Sequence, residues 1–216
     1  MTVAVPFVRH PRGVLLVTLA CFVALTLAAA VGGALPADAL VREALLAGAS
    51  APVVAAMRVV NAAGDYRGLL PGLVILFLVF PAARTRWWLW IVLMIVAAMA
   101  PDLVKLVVGR PRPEDASMGF PSGHATAAAA FCGAVVYLAS ALPPRPRPVV
   151  RIVAVILMLG VGMARVILRA HWPSDVLGGF AFGLALASTA ALIDSLDVTR
   201  KISDRLDAPG RASPPS

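Results

Sequence analysis

Two of the chain's three histidines stand close to cationic side chains, near the ends of long apolar stretches. These residues fall in three blocks at 105–113, 121–124 and 165–175, and the blocks contain His124 and His171. Arginine offers a planar fork that contacts phosphate through two hydrogen bonds, and lysine offers a compact point charge. Cations grouped with imidazoles therefore indicate a site that holds a phosphate group and transfers it.

The first block runs from Lys105 through six residues to Arg112 and Pro113. The prolines on either side of Arg112 stiffen its turn, so its guanidinium is presented by a rigid loop. Lys105 closes one apolar stretch and Arg165, of the third block, lies near the end of another. Each cation alone could extend to the lipid headgroups, but charges at membrane depth are costly and the shared spacing favours one phosphate site.

The second block, at 121–124, opens an apolar stretch with Ser122, Gly123 and His124. The first turn of a helix has unpaired backbone N–H groups and the positive end of the helix dipole, which together attract an anion. Ser122 suits the N-cap or a further donor, and Gly123 allows a ligand close to the backbone. An ordinary cap with an interfacial histidine is the alternative interpretation.

The third block places His171 before a helix start. Pro173 disfavours helix at Trp172, so we expect His171 in a loop and Asp175 in the first helical turn. A carboxylate there can accept the proton of one ring nitrogen and leave the other free to attack, although it would also suit the helix dipole. The two histidines and Asp175 could bind a metal ion, but three neighbouring cations disfavour one, so we expect no metal and no cofactor.

The composition indicates a membrane protein, with 60% hydrophobic and 14% charged residues, against about 25% charged residues in soluble proteins. The net charge of +8 comes mostly from short basic loops between apolar stretches, as membrane topology requires, so we expect no nucleic-acid partner. Cys21 and Cys132 both lie in apolar stretches. We expect them to pack there without a disulfide.

An all-α fold of six transmembrane helices is predicted, because about 20 apolar residues cross a bilayer core as a helix. Between the first two spans, the apolar residues of 53–60 recur at helical spacing, which predicts short interfacial helices. The first span is longer than a signal-peptide core, so we interpret it as an anchor rather than a cleaved leader. The predicted spans are approximately 13–34, 67–83, 87–107, 122–142, 150–168 and 174–194.

Charge distribution predicts the orientation. With the N-terminus in the cytoplasm, eleven of the nineteen cationic residues fall in inside segments and eight in outside segments. Three of those eight belong to the phosphate-site blocks, so the remaining bias favours this orientation. It predicts cytoplasmic termini and places all three blocks on the extracytoplasmic face of the plasma membrane.

The three blocks, in this order and spacing, resemble the signature of the type 2 phosphatidic acid phosphatase superfamily. That superfamily includes membrane lipid phosphatases, bacterial acid phosphatases and vanadium haloperoxidases, and the hydropathy of this chain excludes the soluble members. The resemblance is close over about residues 100–195. The apolar stretches are spread from end to end of the chain and predict one integral membrane domain over 1–206, and the Pro/Ser/Gly-rich stretch 207–216 is expected to be disordered.

The resemblance also implies roles for individual residues. His171 would attack phosphorus to form a phosphohistidine and Asp175 would orient it, while His124 would protonate the leaving oxygen and then activate water. The phosphoryl oxygens would be held by Lys105, Arg112, Arg165, Ser122 and the amide of Gly123. The family usually has serine before the third-block arginine, where this chain has Ala164. Losing that hydroxyl removes one possible hydrogen bond, worth about 1 kcal/mol and up to a few if it acts on the transition state, so we expect modulated activity and not inactivity.

The resemblance implies a metal-independent lipid phosphatase that acts on an amphiphilic phosphate. A polyprenyl diphosphate such as undecaprenyl diphosphate is the first choice, and phosphatidate, phosphatidylglycerol phosphate or a phosphoribosyl polyprenyl lipid are alternatives. A phosphotransferase and a non-catalytic anion-binding protein are rival functions, and the nucleophile set disfavours the second. Four further residues near the blocks are interpreted as rim or gate residues without assigned roles: Arg110, Glu114, Asp115 and Arg169. The oligomeric state is left open.

Overall fold

The computed structural model describes residues 11–206, and side chains as far as 196. Within that range the chain consists of helices joined by loops and contains no strand, apart from an isolated bridge between Pro111 and Met118. The expected tail 207–216 lies outside the described residues. The helices are α1 (Pro11–Gly32), α2 (Pro36–Ala47), α3 (Ala51–Ala62), α4 (Tyr66–Val79), α5 (Pro81–Arg84), α6 (Trp87–Val108), α7 (Gly123–Leu138), α8 (Arg147–Ile167) and α9 (Pro173–Leu206).

Among the described residues, five helices are long and apolar enough to cross a membrane: α1, α6, α7 with the 3₁₀ turn that follows it, α8, and the Pro173–Leu196 part of α9. Their outward faces carry large exposed apolar side chains such as Val31, Leu103 and Val107. An exposed apolar surface of this extent is stable only against lipid. The chain is therefore a multi-pass membrane protein with an all-α fold, as predicted.

The predicted span 67–83 differs in detail, because α4 has only 14 residues. The helix ends at Val79, since Pro81 disfavours helical geometry at the preceding residue, Phe80, which is extended. Asp65, just before α4, lies beside the start of α7, whereas Arg86 bonds to Ile193 near the far end of the bundle. The segment therefore runs the length of the bundle although α4 alone falls below the usual span length.

The predicted interfacial segment folds as two helices, α2 and α3, whose axes differ by 116°. Both begin with proline in the first turn, which suits a helix start. Asp38 in the first turn of α2 accepts a hydrogen bond from the Leu35 amide at 2.8 Å. These helices bring polar residues of 36–65 towards the starts of α7 and α9.

Close packing of α7 against α9 aligns the two predicted histidine blocks. Most residues of α7 are buried, and many of them are alanines. A Cβ built on Gly179 of α9 would stand 2.7 Å from the carbonyl oxygen of Ser122, and one on Gly178 would meet the ring of Phe120 at 2.5 Å. Small residues therefore let α9 approach the α7 N-terminus directly, as is common where helices pack in lipid.

Candidate active site

Lys105 lies in the last turn of α6, where the first block was expected to end a span. The helix stops because Gly109 adopts φ 64°, a left-handed conformation that glycine accepts without strain. The amide of Gly109 donates to the carbonyl of Lys105 at 2.9 Å. The Lys105 ammonium group lies 2.7 Å from Asp102 and faces the start of α7, where a Cβ on Gly123 would be 4.0 Å from its Nζ.

Arg112 is held by a loop that folds back on itself. Its amide donates to the carbonyl of Ser117 at 3.0 Å, and the amide of Gly119 donates to the carbonyl of Arg110 at 2.7 Å. The Arg112 side chain is 29% exposed and lies 3.8 Å from Asp115. Among the described residues its buried Nε has no hydrogen-bond partner, so one arm of the fork remains for an anion.

The start of α7 has the predicted N-cap. Ser122 is fully buried, and its Oγ accepts from the amide of Ala125 at 3.5 Å. Its own amide donates to the carbonyl of Asp175 at 3.0 Å. The hydroxyl of Ser122 therefore faces the helix, while Gly123 and His124 are partly exposed at the helix start. Accepting this hydrogen bond does not use the hydroxyl proton of Ser122, so the cap role is compatible with the expected role of a phosphate donor.

His171 and Asp175 form a buried pair. His171 lies in the loop before α9 and Asp175 in its first turn, as Pro173 predicts. The Nδ1 atom of His171 is 3.3 Å from Oδ2 of Asp175, which also accepts the amide of Trp172 at 3.0 Å. Burial lowers the pKa of His171, although the hydrogen bond that the ring donates to Asp175 acts in the opposite direction. A neutral ring with its proton on Nδ1 would leave Nε2 free as a nucleophile.

Arg165 connects the three blocks. It interacts electrostatically with both His124 and His171, while Lys105 acts on His124 and Arg112 on His171. Among the described residues its buried Nε has no hydrogen-bond partner, like that of Arg112. The neighbouring Ala164, in place of the family's serine, is fully buried on α8. The structure therefore gathers two imidazoles and three cations, and two of the guanidinium groups retain a donor for an oxyanion.

Three polar partners of this site come from segment 36–65, and sequence reasoning missed them. Asn61 accepts from Nη1 of Arg165 at 2.8 Å, and Oδ2 of Asp65 lies 3.8 Å from Nε2 of His124. Asp38 accepts from Nη2 of Arg110 at 2.6 Å. The available signal was the presence of isolated polar residues at the ends of otherwise apolar helices.

The expected rim residues separate into two groups. Glu114 bonds to Arg42 and, at 3.0 Å, to Arg169. The side chains of Glu114 and Arg169 are exposed and form part of the rim, whereas that of Arg42 is mostly buried. The hydrogen bond from Arg169 lowers the pKa of Glu114, and those from Ser117 lower the pKa of Asp115. Arg110 was wrongly assigned to the rim, because its side chain is only 1% exposed. Its ion pairs with two buried carboxylates draw it inward.

Comparison with known proteins agrees with this architecture. Over 113 residues the chain is 30% identical to a lipid A 1-phosphatase of Rhizobium johnstonii, which covers 45% of this chain and 43% of that protein. Over 89 residues it is 38% identical to phosphatidylglycerophosphatase B of Bacillus subtilis, which covers 40% of this chain and 41% of that protein. The matches therefore span about two fifths of these curated relatives.

A solved structure extends the similarity over more of the chain. The crystal structure of a transmembrane PAP2 type phosphatidylglycerolphosphate phosphatase from Bacillus subtilis superposes with a TM-score of 0.73 at 25% identity. The superposition covers 84% of this chain and 96% of that one. The family model described as PAP2 superfamily matches residues 86–196, just over half of the sequence, with all three blocks inside it. The chain belongs to the PAP2 superfamily.

Proposed function

We propose that this protein is a membrane lipid phosphatase that hydrolyses its substrate through a phosphohistidine on His171. The observation that carries the proposal is the buried His171–Asp175 pair, with Nδ1 and Oδ2 3.3 Å apart, beside the cations Arg112 and Arg165. A site for binding alone would not need an oriented imidazole. Phosphoryl transfer, in contrast, needs a positioned nucleophile and stabilisation of the equatorial oxygens.

The proposed reaction has two steps. In the first, Nε2 of His171 bonds to phosphorus, the bond to the lipid oxygen breaks, and His124 gives its proton to the departing alkoxide. In the second, His124 removes a proton from water, the resulting oxygen bonds to phosphorus, and the phosphorus–nitrogen bond breaks to release inorganic phosphate. His124 regains its proton and His171 returns to the neutral form.

The charge distribution suits this sequence of events. Lys105, Arg112 and Arg165 would hold the phosphoryl oxygens, together with the amide of Gly123 at the positive end of α7. The N–H group at Nδ1 of His171 keeps its hydrogen bond to Asp175. The negative carboxylate thereby stabilises the cationic ring of the phosphohistidine. Asp65 faces Nε2 of His124 and favours the imidazolium form that the first step requires.

We propose a phosphomonoester lipid as the substrate, in preference to the polyprenyl diphosphate that was the first choice from the sequence. The names of the relatives support this change, since they are a lipid A 1-phosphatase and a phosphatidylglycerophosphatase. Phosphatidylglycerol phosphate is the leading candidate, because the similarity to the Bacillus subtilis structure extends over most of this chain.

We also propose that the site opens on the extracytoplasmic side, with both described ends of the chain towards the cytoplasm. The charge bias supports this orientation. The second support is that α4 runs from the site end to the opposite end of the bundle, which gives six passes and returns the chain to its starting side.

Phosphate release by the purified protein in detergent tests the proposal. Phosphatidylglycerol phosphate, phosphatidate and undecaprenyl diphosphate should be compared by kcat/KM with a chelator present. We expect hydrolysis that persists with the chelator, a preference for a monoester, and loss of nearly all turnover in His171→Ala. Wild-type turnover in that variant would overturn the nucleophile assignment, and a preference for the diphosphate would overturn the substrate choice.

A further inference from the structure

We propose that Arg110 and Asp38 are positioning residues, which hold Asp175 in the orientation that His171 needs. The inference rests on the proposed function and adds two residues to its machinery. Asp38 lies on α2, outside the region 86–196 that matches the family model, and Arg110 lies two residues before the first-block arginine. The four side chains Asp38, Arg110, Ser174 and Asp175 are called the buried polar cluster below.

The buried polar cluster is continuous. Nη2 of Arg110 donates to Oδ2 of Asp38 at 2.6 Å, while Nη1 donates to Oγ of Ser174 at 2.7 Å and lies 3.1 Å from Oδ1 of Asp175. Asp38 also accepts from the amide and the hydroxyl of Ser174, at 2.8 and 2.6 Å. One guanidinium therefore joins two carboxylates from different helices, in a setting where the fork geometry of arginine matters.

The two oxygens of Asp175 have separate partners. Oδ2 accepts from the Trp172 amide and lies beside His171, whereas Oδ1 has no hydrogen-bond partner among the described residues and depends on the ion pair with Arg110. Without Arg110, a fully buried carboxylate would lose the charge opposite Oδ1. The Asp175 carboxylate would then lower its free energy by rotating or by taking up a proton. Either change weakens its hydrogen bond with His171.

The charge of the cluster also matches the reaction. Two carboxylates and one guanidinium carry a net charge of −1 when all are ionised. Formation of the phosphohistidine turns the neutral ring of His171 into a cation, so the cluster and the ring together become neutral. Asp38 thus does more than bind Arg110, because it supplies the second negative charge that offsets the new cation in a buried environment.

Trp172 closes the outer side of the cluster. Its ring centroid lies 5.9 Å from Cζ of Arg110, and its indole N–H donates to the carbonyl of Pro111 at 3.3 Å. The ring therefore screens the guanidinium from water and strengthens its interaction with both carboxylates. This arrangement argues against an exchangeable surface ion pair, in which Arg110 would contribute little to orientation.

Three variants at two positions test the proposal: Arg110→Gln, Arg110→Lys and Asp38→Asn. Arg86→Gln serves as the matched control, because Arg86 is also a mostly buried arginine with an ion pair, to Asp194 at 3.8 Å, at the opposite end of the bundle. Each protein is measured for thermal unfolding in detergent, for kcat and KM on the preferred lipid phosphate, and for the ¹⁵N shifts of His171, which distinguish an Nδ1–H ring from an Nε2–H ring.

We expect Arg110→Gln to lower kcat by about 10- to 100-fold with little change in KM, the loss typical of partners that orient a functional imidazole. Its His171 should lose the preference for the Nδ1–H form. Arg110→Lys keeps the positive charge but not the two-armed guanidinium, so it should recover part of the kcat and part of the preference of His171 for the Nδ1–H form. Asp38→Asn should lower kcat while the Nδ1–H form persists, because Arg110 still faces Asp175. Arg86→Gln should change stability alone.

Opposite results would overturn the inference. If Arg110→Gln folds, keeps the Nδ1–H form and loses only stability, as Arg86→Gln does, Arg110 has a structural role. If Arg110→Gln fails to fold, the kcat and the ¹⁵N shifts of Arg110→Lys decide instead. A wild-type kcat in Arg110→Lys would show that the two-armed contact of the guanidinium is not needed. Wild-type kcat in Asp38→Asn rejects its charge role. Absence of lipid phosphatase activity in the wild-type protein would reject the proposed function instead. The ¹⁵N shifts would still report whether Arg110 orients His171 through Asp175.

Discussion

The backbone amide of Ser122 donates a hydrogen bond of 3.0 Å to the carbonyl oxygen of Asp175. This bond ties the first residue before α7 to the first turn of α9, so it sets the spacing of the two histidine blocks. His124 follows Ser122 by two residues and His171 precedes Asp175 by four. The rings therefore depend on one helix–helix contact for their relative position.

Gly179→Val tests that contact. The added Cβ would stand 2.7 Å from the carbonyl oxygen of Ser122 and 2.9 Å from Cβ of Ala125, so the helices must separate. We expect a loss of about 1–3 kcal/mol of stability, typical of overpacking, and a fall in kcat larger than any change in KM. Thermal unfolding measures the loss of stability, and steady-state kinetics measure kcat and KM. The control is Gly32→Ala, since no heavy atom lies within 4 Å of a Cβ there. Unchanged kcat in a folded Gly179→Val protein would contradict the spacing argument.

The pH dependence of kcat/KM should report the buried histidine. Burial lowers the pKa of His171, so the ring stays neutral to a pH below the usual value of about 6.5 and is protonated only as pH falls further. Activity should therefore be lost only as the pH falls well below that usual value, where the ring becomes protonated. Because the hydrogen bond that His171 donates to Asp175 raises this pKa, Asp175→Asn should move the acid limb to still lower pH while reducing the maximum rate.

The same substrate must be used for both proteins in that comparison, so that the ionisation of the substrate phosphate cancels. An acid limb that moves to higher pH in Asp175→Asn would show that the carboxylate does not stabilise the protonated ring. The assignment of His171 and Asp175 as a coupled pair would then be wrong.

Arg112→Lys should lower kcat/KM by about 10- to 100-fold, because lysine keeps the charge but loses the two-armed contact with phosphate. The side chain is 29% exposed, so the variant should fold normally. Arg169→Lys is the matched control, as Arg169 lies on the rim with 58% of its side chain exposed. Equal losses in the two variants would indicate general electrostatic attraction in place of a phosphate clamp.

Asp65→Asn tests whether the carboxylate beside His124 supports proton donation. Asparagine remains a good N-cap for α4, so stability should change little. We expect kcat to fall for a lipid phosphate, whose alkoxide needs a proton to depart, and much less for p-nitrophenyl phosphate, whose phenolate leaves without one. Equal reductions for the two substrates would place Asp65 outside the proton transfer.

The sequence determined the local features of the candidate site, because these depend on neighbouring residues. Pro173 places His171 in a loop and Asp175 in the first turn of α9, and Gly109 ends α6 after Lys105. Ser122 caps α7, as its type and position predict. The apolar stretches likewise determined most of the membrane helices, since a bilayer requires length and hydropathy.

Tertiary structure alone decided which side chains meet. Arg110 looks like any loop cation in the sequence, yet Asp38, distant in the chain, draws it into the interior. Asn61 and Asp65 reach the site only because α2 and α3 fold back at 116° over the starts of the later helices. Periodicity identifies the apolar face of a helix but not its neighbour, so contacts between distant segments require the packed bundle to define them.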